Sequence, residues 1–282
     1  MGKRVIAVWI LAGALLTGGL CLAFCGKLFL RLGLEWAMNQ SAREFFSGSI
    51  RLQSVSLKRD LRLVIRGFQG NLKTRKDPVP VEIHFIESQD PVTHYLLGGS
   101  VRYRFEGARP SASKYRGLEG IAVSRLGKNW SFELESRVRE IGIEDIEWVN
   151  PENLRGSTGK VMGRLGLKAG LAESPSLSID LWAPEPGGSL QAQFFDLLLP
   201  YLPQYEAIEK LKALSGSRRL VHYVNASLKV TLAEPDRLKV FLHILISDYN
   251  LDLNVNMEIR TDEKNAFLKM ARLMGLIEVA LS

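Results

Sequence analysis

Alternation of apolar and polar residues governs most of the chain. Between Tyr249 and Ile259 every odd position is apolar (Tyr249, Leu251, Leu253, Val255, Met257, Ile259), and every even one is Asn, Asp or Glu. Successive side chains of a strand point to opposite faces, whereas a helix would scatter these residues around its circumference, so a strand of about eleven residues is expected here. The same period of two runs through Val79–Phe85, Val101–Phe105, Trp130–Leu134, Leu165–Leu167, Leu177–Leu181 and Leu190–Phe194. Leu238–Ile246 is apolar on both faces apart from Lys239 and His243, and Asp248 fits the short connection of an antiparallel hairpin to the last strand.

Three segments break the alternation. Residues 28–47 carry Leu28, Leu32, Trp36 and Phe45 at helical spacing; helices are also expected near 196–214 and 262–281, the latter with an acidic first turn and Phe267, Ala271, Met274 and Ile277 on one side. Gly- and Pro-rich turns separate groups of strands at 107–120, 150–159 and 184–188. The count approaches ten strands and three helices, which points to an antiparallel, largely meandering sheet.

Residues 5–26 contain no charge and are long enough, at about 1.5 Å per residue, to span a hydrocarbon core of roughly 30 Å. Lys3 and Arg4 precede the run, and no small-x-small cleavage pattern ends it, so a retained anchor is expected, with the N-terminus cytoplasmic and the bulk exported. The expected division is an anchor at 1–27, a membrane-proximal helix at 28–47 and a β-rich body at 48–282. Both cysteines, Cys21 and Cys25, fall in the apolar run, which excludes a disulfide framework.

The 282 residues are 46% hydrophobic and 24% charged, with a net charge of +7, so a sizeable core is affordable and wholesale disorder is excluded. The charge is local. Residues 51–76 hold eight basic groups and one acid; the rest of the chain balances at 29 of each sign. Arg51, Lys58, Arg59, Arg62 and Arg66 are candidate contacts for anionic headgroups beside an anchor, against the plainer reading of a solvated strand face. Nucleic acid is disfavoured because stacking aromatics do not interleave with the basic residues.

No catalytic motif appears. The four histidines are far apart, there is no phosphate-binding loop or nucleophile elbow, and Glu133 and Glu135 read as one face of a solvated ladder. Neither catalysis nor a cofactor or metal is expected.

Residues Gly48–Lys58, followed by Leu63–Gly70, resemble the opening of AsmA-like and TamB-like envelope proteins. Pro151–Leu167 is similar to a strand pair shared by AsmA-like proteins and the type II secretion component GspN, and Pro186–Leu190 to a strand start in both. The resemblance implies a mainly β fold with a few helices: an N-terminal transmembrane helix followed by an elongated, curled antiparallel sheet with one apolar concave face. It also implies a non-enzymatic, inner-membrane-anchored periplasmic protein of cell-envelope and outer-membrane biogenesis, holding or passing membrane phospholipid acyl chains. Leu251, Leu253, Val255, Met257 and Ile259 would form a groove wall, although the same face could be closed core. The alternative implied by GspN is a structural component binding other envelope or secretion proteins.

Overall fold

Twelve strands follow one another with few interruptions: β1 (Phe46–Leu57), β2 (Leu63–Leu72), β3 (Val79–Ser88), β4 (Ser100–Pro110), β5 (Gly117–Arg125), β6 (Ser131–Gly142), β7 (Thr158–Gly170), β8 (Ser176–Ala183), β9 (Gly188–Gln191), β10 (Leu220–Glu234), β11 (Arg237–Ile246) and β12 (Leu251–Arg260). The structure is a computed structural model and describes residues 28, 30–40, 46–73, 77–125, 131–170, 175–199, 206–217, 219–234 and 237–260. Strand order in the sheet is β1-β2-β3-β4-β5-β6-β7-β8-β10-β11-β12, and each neighbouring pair is antiparallel.

The short strand β9 changes this meander into something more closed. It pairs with both β10 and β7, while β7 pairs β8 and β8 pairs β10, so these four strands form a small barrel. Strands β1–β6 extend from one side of it and β11–β12 from the other. Closing so few strands brings backbones close together, and glycine permits that approach. At Gly159 (φ 140°) a methyl group would collide with the Tyr223 hydroxyl, and at Gly188 with the Thr158 carbonyl. Tyr223 is 2% exposed, and its hydroxyl donates to the Thr158 carbonyl at 3.5 Å. Burial, and then the negative charge of Glu144 and the nearby Tyr115, push its phenol up to about 12, so it stays a neutral donor at physiological pH.

Three apolar clusters stabilise the sheet. The largest lies at the barrel end, where Phe195 of the 3-10 turn Ala192–Leu197 and Leu211 and Leu214 of a helix at Glu206–Gly216 (α3) pack on Val221, Tyr223, Ile244, Ile246 and Val255. The second joins Ile50, Leu52, Val55, Ile65 and Phe68 to Leu30, Leu34 and Met38 of a helix at 30–40 (α1). The third is small and centres on Leu177, Val230 and Leu238. One further short helix, α2 (Pro151–Leu154), precedes β7. Between the clusters the apolar face of β4–β7 is half-buried, with Tyr103, Phe105, Phe132, Leu134, Leu165 and Leu167 along it.

The expected architecture is corrected in several places. Among the described residues no helix is long and apolar enough to cross a membrane. The apolar run at 5–26 and the expected helix at 262–281 lie outside the described residues. The described part of helix α1, residues 30–40, carries Arg31 and Glu35. The fold is therefore mainly β with a few short helices, a four-stranded barrel and an extended sheet, in place of a transmembrane helix followed by one curled sheet. The single-pass inner-membrane, periplasmic placement, and the lipid-passing and secretion-assembly functions that depended on an anchored chain, lose their structural basis and are withdrawn. Helix α1 turns Leu30, Leu34 and Met38 to the sheet, while Leu28, Leu32 and Trp36 are exposed. The expected helix at 196–214 divides into the 3-10 turn and the shorter α3.

Replacing Gly159 with Ala is expected to cost about 1–3 kcal/mol through overpacking against Tyr223. In the double variant Gly159→Ala/Tyr223→Phe part of that cost should return, because the colliding oxygen is gone while the backbone strain remains. A urea-denaturation cycle on the four proteins checks this; strict additivity would show that the ring contact does not limit the barrel.

Candidate functional site at the sheet edges

The residues singled out by the sequence fall at the two ends of the sheet, on β1–β2 and on β12. An open sheet presents unpaired backbone N–H and C=O groups at each end, and burying them unpaired costs as much as a lost hydrogen bond. The two ends solve this problem differently.

At the β1 end, α1 lies along the strand and supplies side chains where a neighbouring strand would supply backbone. Asn39 accepts from the Ile50 N–H through Oδ1 at 2.6 Å and donates to the Ile50 carbonyl through Nδ2 at 3.2 Å, so one amide satisfies both groups of one residue. Glu35 Oε1 accepts from the Leu52 N–H at 2.8 Å and is held by Arg31 Nε at 3.1 Å. Arg31 also reaches the Gln53 carbonyl at 3.4 Å. The apolar residues Leu30, Leu34 and Met38 fix the helix in register for these bonds. The edge is sealed.

The basic residues of this end divide into two groups. Lys58 pairs with Glu87, and Arg62 pairs with Asp60 at 2.6 Å and with Glu87 at 3.9 Å, so these two cations hold the β1–β2 turn. Asp60 sits low despite the opposing effect of its desolvation, because Arg62 donates to it from both side chain and backbone. Arg51, Arg59 and Arg66 are exposed.

At the other end, β12 pairs with β11 over its whole length, from Ile246 opposite Leu251 to Arg237 opposite Arg260. Leu253, Val255 and Met257 are buried in the barrel-end cluster against α3 and β10–β11, and Leu251 packs at its margin. These four belong to a core and not to an open wall. Ile259 pairs in register with Leu238. The even residues Asp252, Asn254, Asn256 and Glu258 face solvent, with Asp252 accepting from His243 at 2.8 Å. No side chain among the described residues caps the outer backbone of β12.

A cavity of about 190 Å³ lies at the barrel mouth, lined by Ile146, Leu154, Val161, Phe194 and Leu228. That is below the roughly 300 Å³ at which small-molecule sites begin, so it fits a single apolar side chain better than a lipid chain.

Among the described residues no group of three His, Cys, Asp or Glu could hold a metal. Ser189 Oγ lies 3.0 Å from His222 Nδ1, but Asp248 binds the backbone N–H of His222 and leaves the ring without an orienting carboxylate. Tyr115 donates to Glu144 at 2.7 Å; burial and that carboxylate push its phenol up to about 12. Burial alone would push the Glu144 carboxyl up, but its own backbone N–H, Tyr115 and Lys114 outweigh it and hold the group low.

Sequence reasoning missed Glu35 and Asn39. Their signal was available as polar residues four apart on a helix next to the first strand, but it had no meaning until the strand was known to be an edge.

Asn39→Ala leaves the Ile50 N–H and C=O unpaired and is expected to lower stability by about 1–3 kcal/mol, with Asn39→Asp, which keeps only the acceptor, in between. Denaturant midpoints check this; an unchanged Asn39→Ala protein would show that water seals the edge equally well. Compared with known proteins, the chain matches no family model, no curated protein and no solved structure.

Proposed function

We propose that the chain is a non-enzymatic binding protein that takes up an extended strand of a partner polypeptide on the outer edge of β12. The observation that carries this reading is the asymmetry of the two sheet ends. Asn39, Glu35 and Arg31 cap the backbone of β1, whereas the ten-residue β12 keeps its outer backbone uncapped among the described residues. Natural sheets blunt their edges, so a long regular one left available is a template for strand addition. Backbone hydrogen bonds would supply the affinity. Alternation would supply selectivity, because an added strand must continue the apolar parity of Leu253, Val255 and Met257 on one face and the polar parity of Asn254 and Asn256 on the other. The meander of consecutive antiparallel strands also supports an AsmA-like relationship as part of this reading.

A labelled synthetic peptide of residues 237–246, the sequence that already pairs with β12 on its inner side, is a suitable probe by fluorescence anisotropy. Saturable binding is expected. It should be lost when alternate peptide amides along one edge are N-methylated and kept when the opposite set is methylated. No binding, or binding indifferent to both sets, would overturn the reading.

A further inference from the structure

The polar face of the sheet holds a groove of about 830 Å³ across β4–β8, on the side away from the apolar clusters. Its charged lining comprises Arg104, Arg137, Arg139, Arg164, Glu106, Glu119 and Glu135. Two of the arginines are used internally: Arg104 pairs with Glu106, and Arg139 with Glu119 at 2.6 Å. The other two stand directly opposite one another, Arg137 on β6 and Arg164 on β7. Residues so placed have Cβ atoms about 4.5–5.5 Å apart, and like charges there are destabilising.

Carboxylates flank the pair without an ion pair to either guanidinium, so they screen the repulsion only in part. Glu119 is opposite Arg137 and is taken by Arg139; Asp180 is opposite Arg164. Among the described residues neither Arg137 nor Arg164 forms an ion pair or a hydrogen bond, and both are exposed. Beside them the floor drops. Gly166 has no side chain, a methyl group there would meet only Ser178 at 3.7 Å or more, and the Ser178 hydroxyl lies across from it. Glu135 stands opposite Gly166 and two residues from Arg137 on β6, and it too is exposed and unpaired among the described residues.

We infer that Arg137 and Arg164 form a binding site for a phosphate group that retains a proton, with Glu135 accepting the hydrogen bond from its P–OH. Two guanidinium forks on adjacent strands present paired donors to an oxyanion, the geometry arginine serves better than lysine. The anion removes the repulsion that the sheet otherwise carries. Glu135 then sets the selectivity. A carboxylate beside an anion is repulsive unless the anion brings a donor: inorganic phosphate keeps a P–OH in both of its forms near neutral pH and a phosphomonoester keeps one in its monoanion, whereas sulfate and phosphodiesters have none. The floor over Gly166 and Ser178 leaves room for the substituent of a monoester.

Isothermal titration of the full chain at constant ionic strength, with inorganic phosphate, methyl phosphate, dimethyl phosphate and sulfate as probes, tests this. At about pH 6, where the monoester keeps a sizeable protonated fraction, phosphate and methyl phosphate are expected to bind, and sulfate and dimethyl phosphate about tenfold or more weakly. Binding of methyl phosphate but not inorganic phosphate would assign the site to esters and support it; the reverse would assign it to the free ion and support it. Arg164→Gln should weaken phosphate binding about tenfold or more. The same variant should be at least as thermally stable as the original chain without phosphate, a result that a structural arginine would not give. Glu135→Gln should narrow the preference over sulfate. The proposal is overturned if phosphate does not bind beyond the chloride control, if sulfate binds equally well, or if Lys229→Gln, one strand beyond the groove, weakens binding as much as Arg164→Gln.

Discussion

A sheet built as a meander has two ends, and the backbone groups exposed there constrain everything else in this molecule. Hydrogen bonds within the ladder satisfy strands β2–β11 from both sides, but β1 and β12 each have one row left over. At β1 the chain satisfies that row with a helix whose side chains imitate a strand. The position of α1 is thus fixed by three polar residues as well as by its apolar stripe, and the N-terminal core exists because the helix must lie there. At β12, among the described residues, the strand is anchored on its inner side alone, and its apolar residues hold the barrel-end core together.

The barrel answers a second demand. A sheet with one apolar face must cover it, and the described helices are too few to do so along twelve strands. Turning β7, β8, β10 and β9 into a ring buries that face against itself, with Tyr223 filling the interior and glycines at 159 and 188 allowing the crossing. The 3-10 turn and α3 then close the end that β11 and β12 leave open. Farther from the ring, the face along β4–β7 is only half-buried, which gives the molecule a firm end and a more exposed middle.

Much of this was legible in the alternation. It located the β11–β12 hairpin, most strands and the inward set Leu253, Val255 and Met257, because a period of two needs no knowledge of partners. What alternation cannot show is who pairs with whom. The alternation at Leu190–Phe194 touches strand β9 but runs on into the 3-10 turn, and nothing in it shows that β9 pairs with both β10 and β7 to close the ring. Which stripe of α1 is buried was not legible, because both Leu28-Leu32-Trp36 and Leu30-Leu34-Met38 have helical spacing and only the sheet beneath selects between them. Arg137 and Arg164 are 27 positions apart in sequence and become neighbours only through a register that a β-bulge shifts between Val138 and Ile141. Of the five basic candidates near the first hairpin, Lys58 and Arg62 are engaged in ion pairs with Glu87 and Asp60, pairings that their own run of charge does not reveal.

Amide hydrogen exchange of the full chain, resolved residue by residue, addresses the difference between the two edges most directly. Capping by Asn39 and Glu35 predicts that the Ile50 and Leu52 amides exchange as slowly as those inside the ladder, while alternate amides of β12, those turned away from β11, exchange quickly. Uniformly slow exchange along β12, or fast exchange at Ile50 and Leu52, would contradict it.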